Sequence, residues 1–107
     1  MKILDVGNVS FGHTNGAWDL HEPGGSSTAT KRVEFGPDFK KAPHVVLCVN
    51  AVHGDGTVRG GGNSHAPFGF AVKAVEVSGE HFTLRVKRLS SGVPLWGINV
   101  TYIAIEK

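Results

Sequence analysis

The sequence predicts an all-β fold, a six-stranded antiparallel β-sandwich, on three observations. Hydrophobic residues recur at every second position in several stretches, the spacing that turns one face of an extended strand inward. No window of about a dozen residues carries apolar positions at helical spacing without a glycine or proline interrupting it. Fifteen glycines and five prolines gather largely between the alternating stretches, where turns are needed. A chain of 107 residues holds one modest core, so residues 1–107 read as a single domain.

The elements follow in order. Residues 3–10 and 31–35 are short strand candidates, separated by "EPGGSS", whose proline and paired glycines make a turn. "FGPDFKKAP" leads into "HVVLCVNAV", which is apolar on both faces and reads as a strand covered twice. Residues 70–77 form the next candidate, ended by "VSGEH". In "HFTLRVKRL", Phe82, Leu84 and Val86 face one way and Thr83, Arg85 and Lys87 the other. After "SSGVP", the stretch "LWGINVTYIAIE" places Trp96, Ile98, Val100, Tyr102 and Ala104 on one face, with Asn99, Thr101, Ile103 and Ile105 opposite. Trp96 opens this strand at the end of the sandwich, where its ring is either core or a half-exposed apolar platform.

Bulk composition narrows the function classes. A net charge of +2 is no polyanion signature, and the basic residues Lys31, Arg32, Arg85, Lys87 and Arg88 read as a solvated strand face, so nucleic acid is not an expected partner. Cys48 stands alone inside "HVVLCVNAV", which excludes an internal disulfide and predicts a small buried hydrophobe. No leader pattern opens the chain and no apolar run approaches membrane length. The free cysteine is compatible with synthesis in the cytoplasm, and action outside the cell stays open.

"HGDGTVRGGGNSHAPFG", residues 53–69, holds six glycines and raises the question of a ligand loop. It is not a phosphate cradle, because no Lys-Ser/Thr pair follows its last glycine and no helix follows to receive a phosphate. Arg59 stands where a dinucleotide fingerprint needs its third glycine. His53, Asp55 and His65 match no zinc or calcium spacing, so no metal or other cofactor is expected. Ser64 beside His65 lacks a nucleophile elbow, and Asp5, Asp19, Glu22 and Asp55 are too scattered for paired-carboxylate chemistry. The sequence predicts no catalysis.

The order of "GAW", "EPGGSS", "RVEFGPDFKKAPHVVLCV", "GEHFTLRVKR" and "VTYIAIE" resembles the H-type lectins, the family of the snail agglutinin and the discoidin C-terminal domain. The resemblance covers nearly the whole chain. It implies a six-stranded sandwich that trimerises and binds Gal or GalNAc without metal, in shallow sites between protomers. Carried over residue by residue, it implies a backbone contact at Gly24 and puts Ser26 near the family's aspartate. The family's sugar-binding arginine falls near Gly69, its Trp-His turn becomes Leu89-Ser90, and its following tyrosine becomes Trp96. Residues 53–68 look like an expanded version of the loop before the arginine-bearing strand, in which Asp55, Arg59 or His65 replaces the missing polar groups; a glycine-rich hairpin without a ligand is the other reading. The implied glycan site is Gly24, Ser26, Asp55, Arg59, Ser90 and Trp96. Self-association is expected from the residues as well, since residues 45–49 and the pair Ile103 and Ile105 offer more apolar surface than one sandwich hides. The alternative function is a structural or oligomerisation module, such as an adhesin tip, whose sugar site has decayed.

Overall fold

Two three-stranded antiparallel sheets face one another across a single cluster of buried side chains. The computed structural model describes residues 2–20, 28–54, 70–88 and 95–107. The strands are β1 (Ile3–Gly12), β2 (Thr28–Glu34), β3 (His44–Gly54), β4 (Phe70–Val75), β5 (His81–Arg88) and β6 (Leu95–Ile105). One sheet has the order β1-β6-β3 and the other β2-β5-β4. The described residues contain no helix.

Alternation builds the core as the sequence requires. Phe82, Leu84 and Val86 of β5 are wholly inaccessible, and Ile98, Val100, Tyr102 and Ala104 of β6 meet them from the facing sheet. Phe82 and Tyr102 pack edge to face at 5.3 Å between centroids, and Phe35 joins them at 5.7 and 5.9 Å. The Tyr102 ring lies over Gly7, where an added Cβ would sit 2.3 Å from Cε1. Its hydroxyl donates to Asp5 Oδ2 at 2.8 Å, and the same oxygen accepts from the Gly36 amide at 2.9 Å. Burial, then the Asp5 carboxylate, push the phenol up to about 12.

Strand ends differ from the expectation by a few residues. β2 begins at Thr28 because Thr28, Ala29 and Thr30 continue the ladder with Lys87, Val86 and Arg85. β4 stops at Val75, since Glu76 takes a left-handed φ of 52° that ends the extended run. Gly79 then lets Phe39 approach: the Phe39 amide donates to its carbonyl at 2.8 Å, and a Cβ on Gly79 would meet Phe39 O at 2.0 Å.

The strand "HVVLCVNAV" is not covered twice within one chain. β3 is an edge strand, and its outward residues Val46 and Cys48 are exposed. The expectation of a buried Cys48 fails for that reason: the residue sits on the outer face of the sheet, in register with Thr101 of β6 and Asn8 of β1. Register sets out four rows across this outer face: Ile3–Ile105–His44, Val6–Ile103–Val46, Asn8–Thr101–Cys48 and Ser10–Asn99–Ala51. None of these positions carries Lys, Arg, Asp or Glu. Ile3 and Val6 are 59% and 56% exposed.

The polar rows are tied together. Asn99 Nδ2 donates to Asn8 Oδ1 and Ser10 Oγ, both at 2.8 Å, while Asn8 Nδ2 donates back to Asn99 Oδ1 at 2.8 Å. Asn50, the extra residue of a bulge between Val49 and Ala51, donates to Thr101 Oγ1 at 2.7 Å and Asn99 Oδ1 at 3.0 Å.

Candidate binding site at the Trp96 bulge

The outer face ends in a hollow, and its cause is local sequence. The row after Ser10–Asn99 is Gly12–Gly97–His53, in which two of three positions have no side chain. Gly12 in particular is needed there: a Cβ on it would lie 2.7 Å from Trp96 O and 2.9 Å from Gly97 Cα. β6 then bulges. His53 pairs with Gly97 but Gly54 pairs with Leu95, so Trp96 is the extra residue.

That bulge corrects the strict alternation. Leu95, 1% exposed, takes the buried position that period two assigns to Trp96, and the indole is left half-buried beside the hollow. Beyond Gly12 the chain turns through His13 and Thr14. Asn15 closes the turn, its amide donating to Gly12 O at 2.8 Å and its Oδ1 accepting from the Gly12 amide at 3.0 Å. Trp18, the tryptophan of "GAW", is buried; it donates through Nε1 to Leu95 O at 2.9 Å and packs edge to face on Phe11 at 4.9 Å. This pins the turn against the start of β6.

The result is a pocket of about 280 Å³ lined by Ser10, His13, Thr14, Asn15, His53 and Trp96 over the glycine floor. That is close to the lower end for small-ligand sites. The His13 ring stands edge-on to Trp96 at 5.2 Å between centroids, its backbone amide donates to Trp96 O at 2.8 Å, and its Nδ1 lies 3.3 Å from that oxygen. A carbonyl only accepts, so Nδ1 carries the proton in this contact. Among the described residues no three His, Cys, Asp or Glu side chains converge as metal ligands would. A wider hollow of about 470 Å³ lies at the other end of the strands, between Leu4, Phe39 and Pro43 with Lys40, Lys41 and Glu106 around it. It contains no side chain singled out from the sequence.

Of the expected site residues, Trp96 is in the pocket. Gly24, Ser26, Asp55, Arg59 and Ser90 lie outside the described residues. His53, weighed in the sequence only as a metal ligand, is instead a wall of the pocket. His13, Thr14 and Asn15 were not legible as site residues. Pairing the first strand with the last brings "GHTN" to Trp96, and that pairing was the missing signal.

The H-type lectin domain, compared as a sequence family, matches residues 30–105, from within β2 to the end of β6. No curated protein matches the chain.

Proposed function

The chain belongs to the H-type lectin family, and from that premise we propose that it binds Gal- or GalNAc-type glycans at the Trp96 pocket, as a homotrimer, without metal and without catalysis. The family match itself points to carbohydrate binding. The proposal takes residues 1–107 as one such domain and gives it neither nucleic acid nor membrane insertion as a role; no helix among the described residues is long and apolar enough to cross a membrane.

One observation carries the reading. Trp96 is bulged out of the core at the edge of an open, glycine-floored hollow ringed by hydroxyl, amide and imidazole groups. An indole offers a flat apolar surface to the C–H face of a sugar, while hydroxyls and amides answer its oxygens. The segment bearing Asp55 and Arg59 follows directly after His53 and Gly54, the latter paired with Leu95, which supports those side chains as further ligands. Gly24, Ser26 and Ser90 complete the assignment by family resemblance.

Trimerisation is supported by the charge-free outer face. Exposed sheet faces are usually polar, and here the aliphatic side chains of Ile3, Val6 and Val46 meet solvent in the isolated chain. Copies apposed through this face bring no like charges together, and the hollow at its end would then lie at a protomer boundary. A shallow pocket gives a Kd on the order of 1 mM per site, so multivalency supplies the useful affinity.

The same outer face favours a second reading, an oligomerisation or adhesin-tip module without a working sugar site. Titrating a glycan panel against wild type and Trp96→Ala separates the two. Binding by wild type that Trp96→Ala loses while keeping its strand spectrum supports the lectin. Equal binding by a folded Trp96→Ala removes the pocket from consideration, and no binding of any glycan at millimolar concentration favours the structural module.

A further inference from the structure

We propose that the outer face of the β2-β5-β4 sheet docks a sulfated polysaccharide through Lys73, Arg85 and Lys87. This goes beyond the reading of the Trp96 pocket and does not depend on it, because the face belongs to the other sheet. Arg85 and Lys87 of β5 point outward, since Leu84 and Val86, the residues alternating with them, are wholly buried. Register sets Lys73 of β4 directly opposite Arg85, with Thr30 of β2 on its other side, and Thr28 beside Lys87. Two basic residues grouped with these in the sequence turn away from the face. Lys31 pairs with buried Leu84, its ammonium 5.7 Å from the centre of the Phe11 ring, and Arg88 donates to Leu20 O at 2.8 Å.

The three cations form a triangle. Lys73 and Arg85 are cross-strand neighbours about 5 Å apart at the backbone, and Lys87 lies about 7 Å along the strand from Arg85. Like charges directly opposite destabilise a sheet. All three side chains are exposed, and none has an ion-pair partner among the described residues. The acids of the face stand toward its other end, where Glu34 lies 3.6 Å from Arg32 and Glu76 accepts from Thr83 Oγ1. Four cations against two carboxylates leave the face with +2, which equals the net charge of the whole chain. A polyanion laid over the triangle offsets the repulsion between its members.

The surrounding side chains narrow the class of polyanion. Arg85 and the two lysines make charge-assisted hydrogen bonds to sulfate oxygens, and Thr28 and Thr30 place hydroxyls alongside. No Phe, Tyr or Trp stands in the outward rows of these strands, so single-stranded nucleic acid finds no stacking platform. The outward apolar residues, Ala71 and Val75, are too small to insert into a lipid surface. The charge-free face lies on the reverse of the sandwich, so association through it leaves the basic face open.

The test titrates the full chain with dextran sulfate and with uncharged dextran at about 50 mM and about 200 mM salt. Dextran sulfate is expected to bind, and to weaken on the order of tenfold at the higher salt, while dextran does not compete. The triple variant Lys73→Gln, Arg85→Gln, Lys87→Gln, checked for its strand spectrum, should bind on the order of tenfold more weakly. Lys73→Gln alone, on the edge strand, should lose affinity in the same direction. The control Lys40→Gln, Lys41→Gln, Lys107→Gln removes equal charge beside the hollow at the other end and should bind as wild type does. Equal loss in both triple variants overturns the site in favour of attraction by net charge. Dextran sulfate binding that the first variants leave unchanged, or none by folded wild type at about 50 mM salt, overturns the proposal. Tighter binding of a single-stranded oligonucleotide, or of vesicles of phosphatidylserine and phosphatidylcholine, overturns the choice of polysaccharide.

Discussion

Replacing Gly12 by alanine should damage both the fold and the pocket, and the size of the effect follows from two opposed terms. The new methyl carbon would sit 2.7 Å from Trp96 O and 2.9 Å from Gly97 Cα, both backbone atoms of the central strand that cannot rotate away. Forcing a methyl into a closed space costs about 1–3 kcal/mol. Against this, removing a glycine from the unfolded chain stabilises by about 0.4–1 kcal/mol. The net expectation is a loss of about 1–2 kcal/mol, with Tm falling by about 4–8 °C per kcal/mol. Gly97→Ala is the internal comparison: its nearest neighbours, Gly12 Cα and Phe11 O, are at 3.2 Å, a contact that small shifts relieve. Its net change should be near zero. Gly7→Ala, which meets the Tyr102 ring at 2.3 Å but lies away from the hollow, should lose stability while keeping glycan binding. Urea denaturation and glycan titration of the three variants read both quantities. A Gly12→Ala protein as stable as wild type, with an unchanged pocket affinity, would refute the claim that the glycine pair shapes the site.

Two further perturbations probe other parts of the structure. Spectrophotometric titration should find Tyr102 ionising at about 12; because the folded value is raised, stability is fully present below the ordinary tyrosine value near 10 and declines as pH climbs from there toward about 12. A single phenol ionising near 10 in the native protein would contradict the part-buried Asp5 contact. Val46→Lys places a charge in the middle of the outer face, so wild type is expected to sediment as a trimer and the variant as a monomer at the same concentration. Its Cys48 thiol should then react faster with a disulfide reagent than the wild-type thiol; a wild-type monomer, or a variant trimer, would count against that face.

The strands were legible because a sandwich buries one face of each. Phe82, Leu84 and Val86 announce their side by chemistry alone, and the buried Ile98 to Ala104 series does the same. What alternation does not encode is where a ladder gains a residue. The bulges at Asn50 and Trp96 arise from pairing with a partner strand, and they decide which side Leu95 and Trp96 face. An apolar run such as "HVVLCVNAV" also looks the same whether its second face meets another layer of the same chain or lies on the outside of an edge strand, which is why Cys48 was misplaced. The candidate site was half legible. A tryptophan at a strand start carries a signal in itself, whereas His13 and Asn15 gain meaning only when the first strand lies beside the last.

That same neighbourhood of first and last strand fixes how the domain can be tethered. The Glu106 amide donates to Lys2 O at 2.9 Å, so the two chain ends emerge side by side. The Trp96 hollow sits at the opposite ends of β1 and β6, about 30 Å away for a ten-residue strand. A carrier joined at either terminus therefore leaves from the far end and does not cover the pocket. Both termini could be linked at once, or joined to each other and the chain reopened in a distant turn, with the pocket still presented outward.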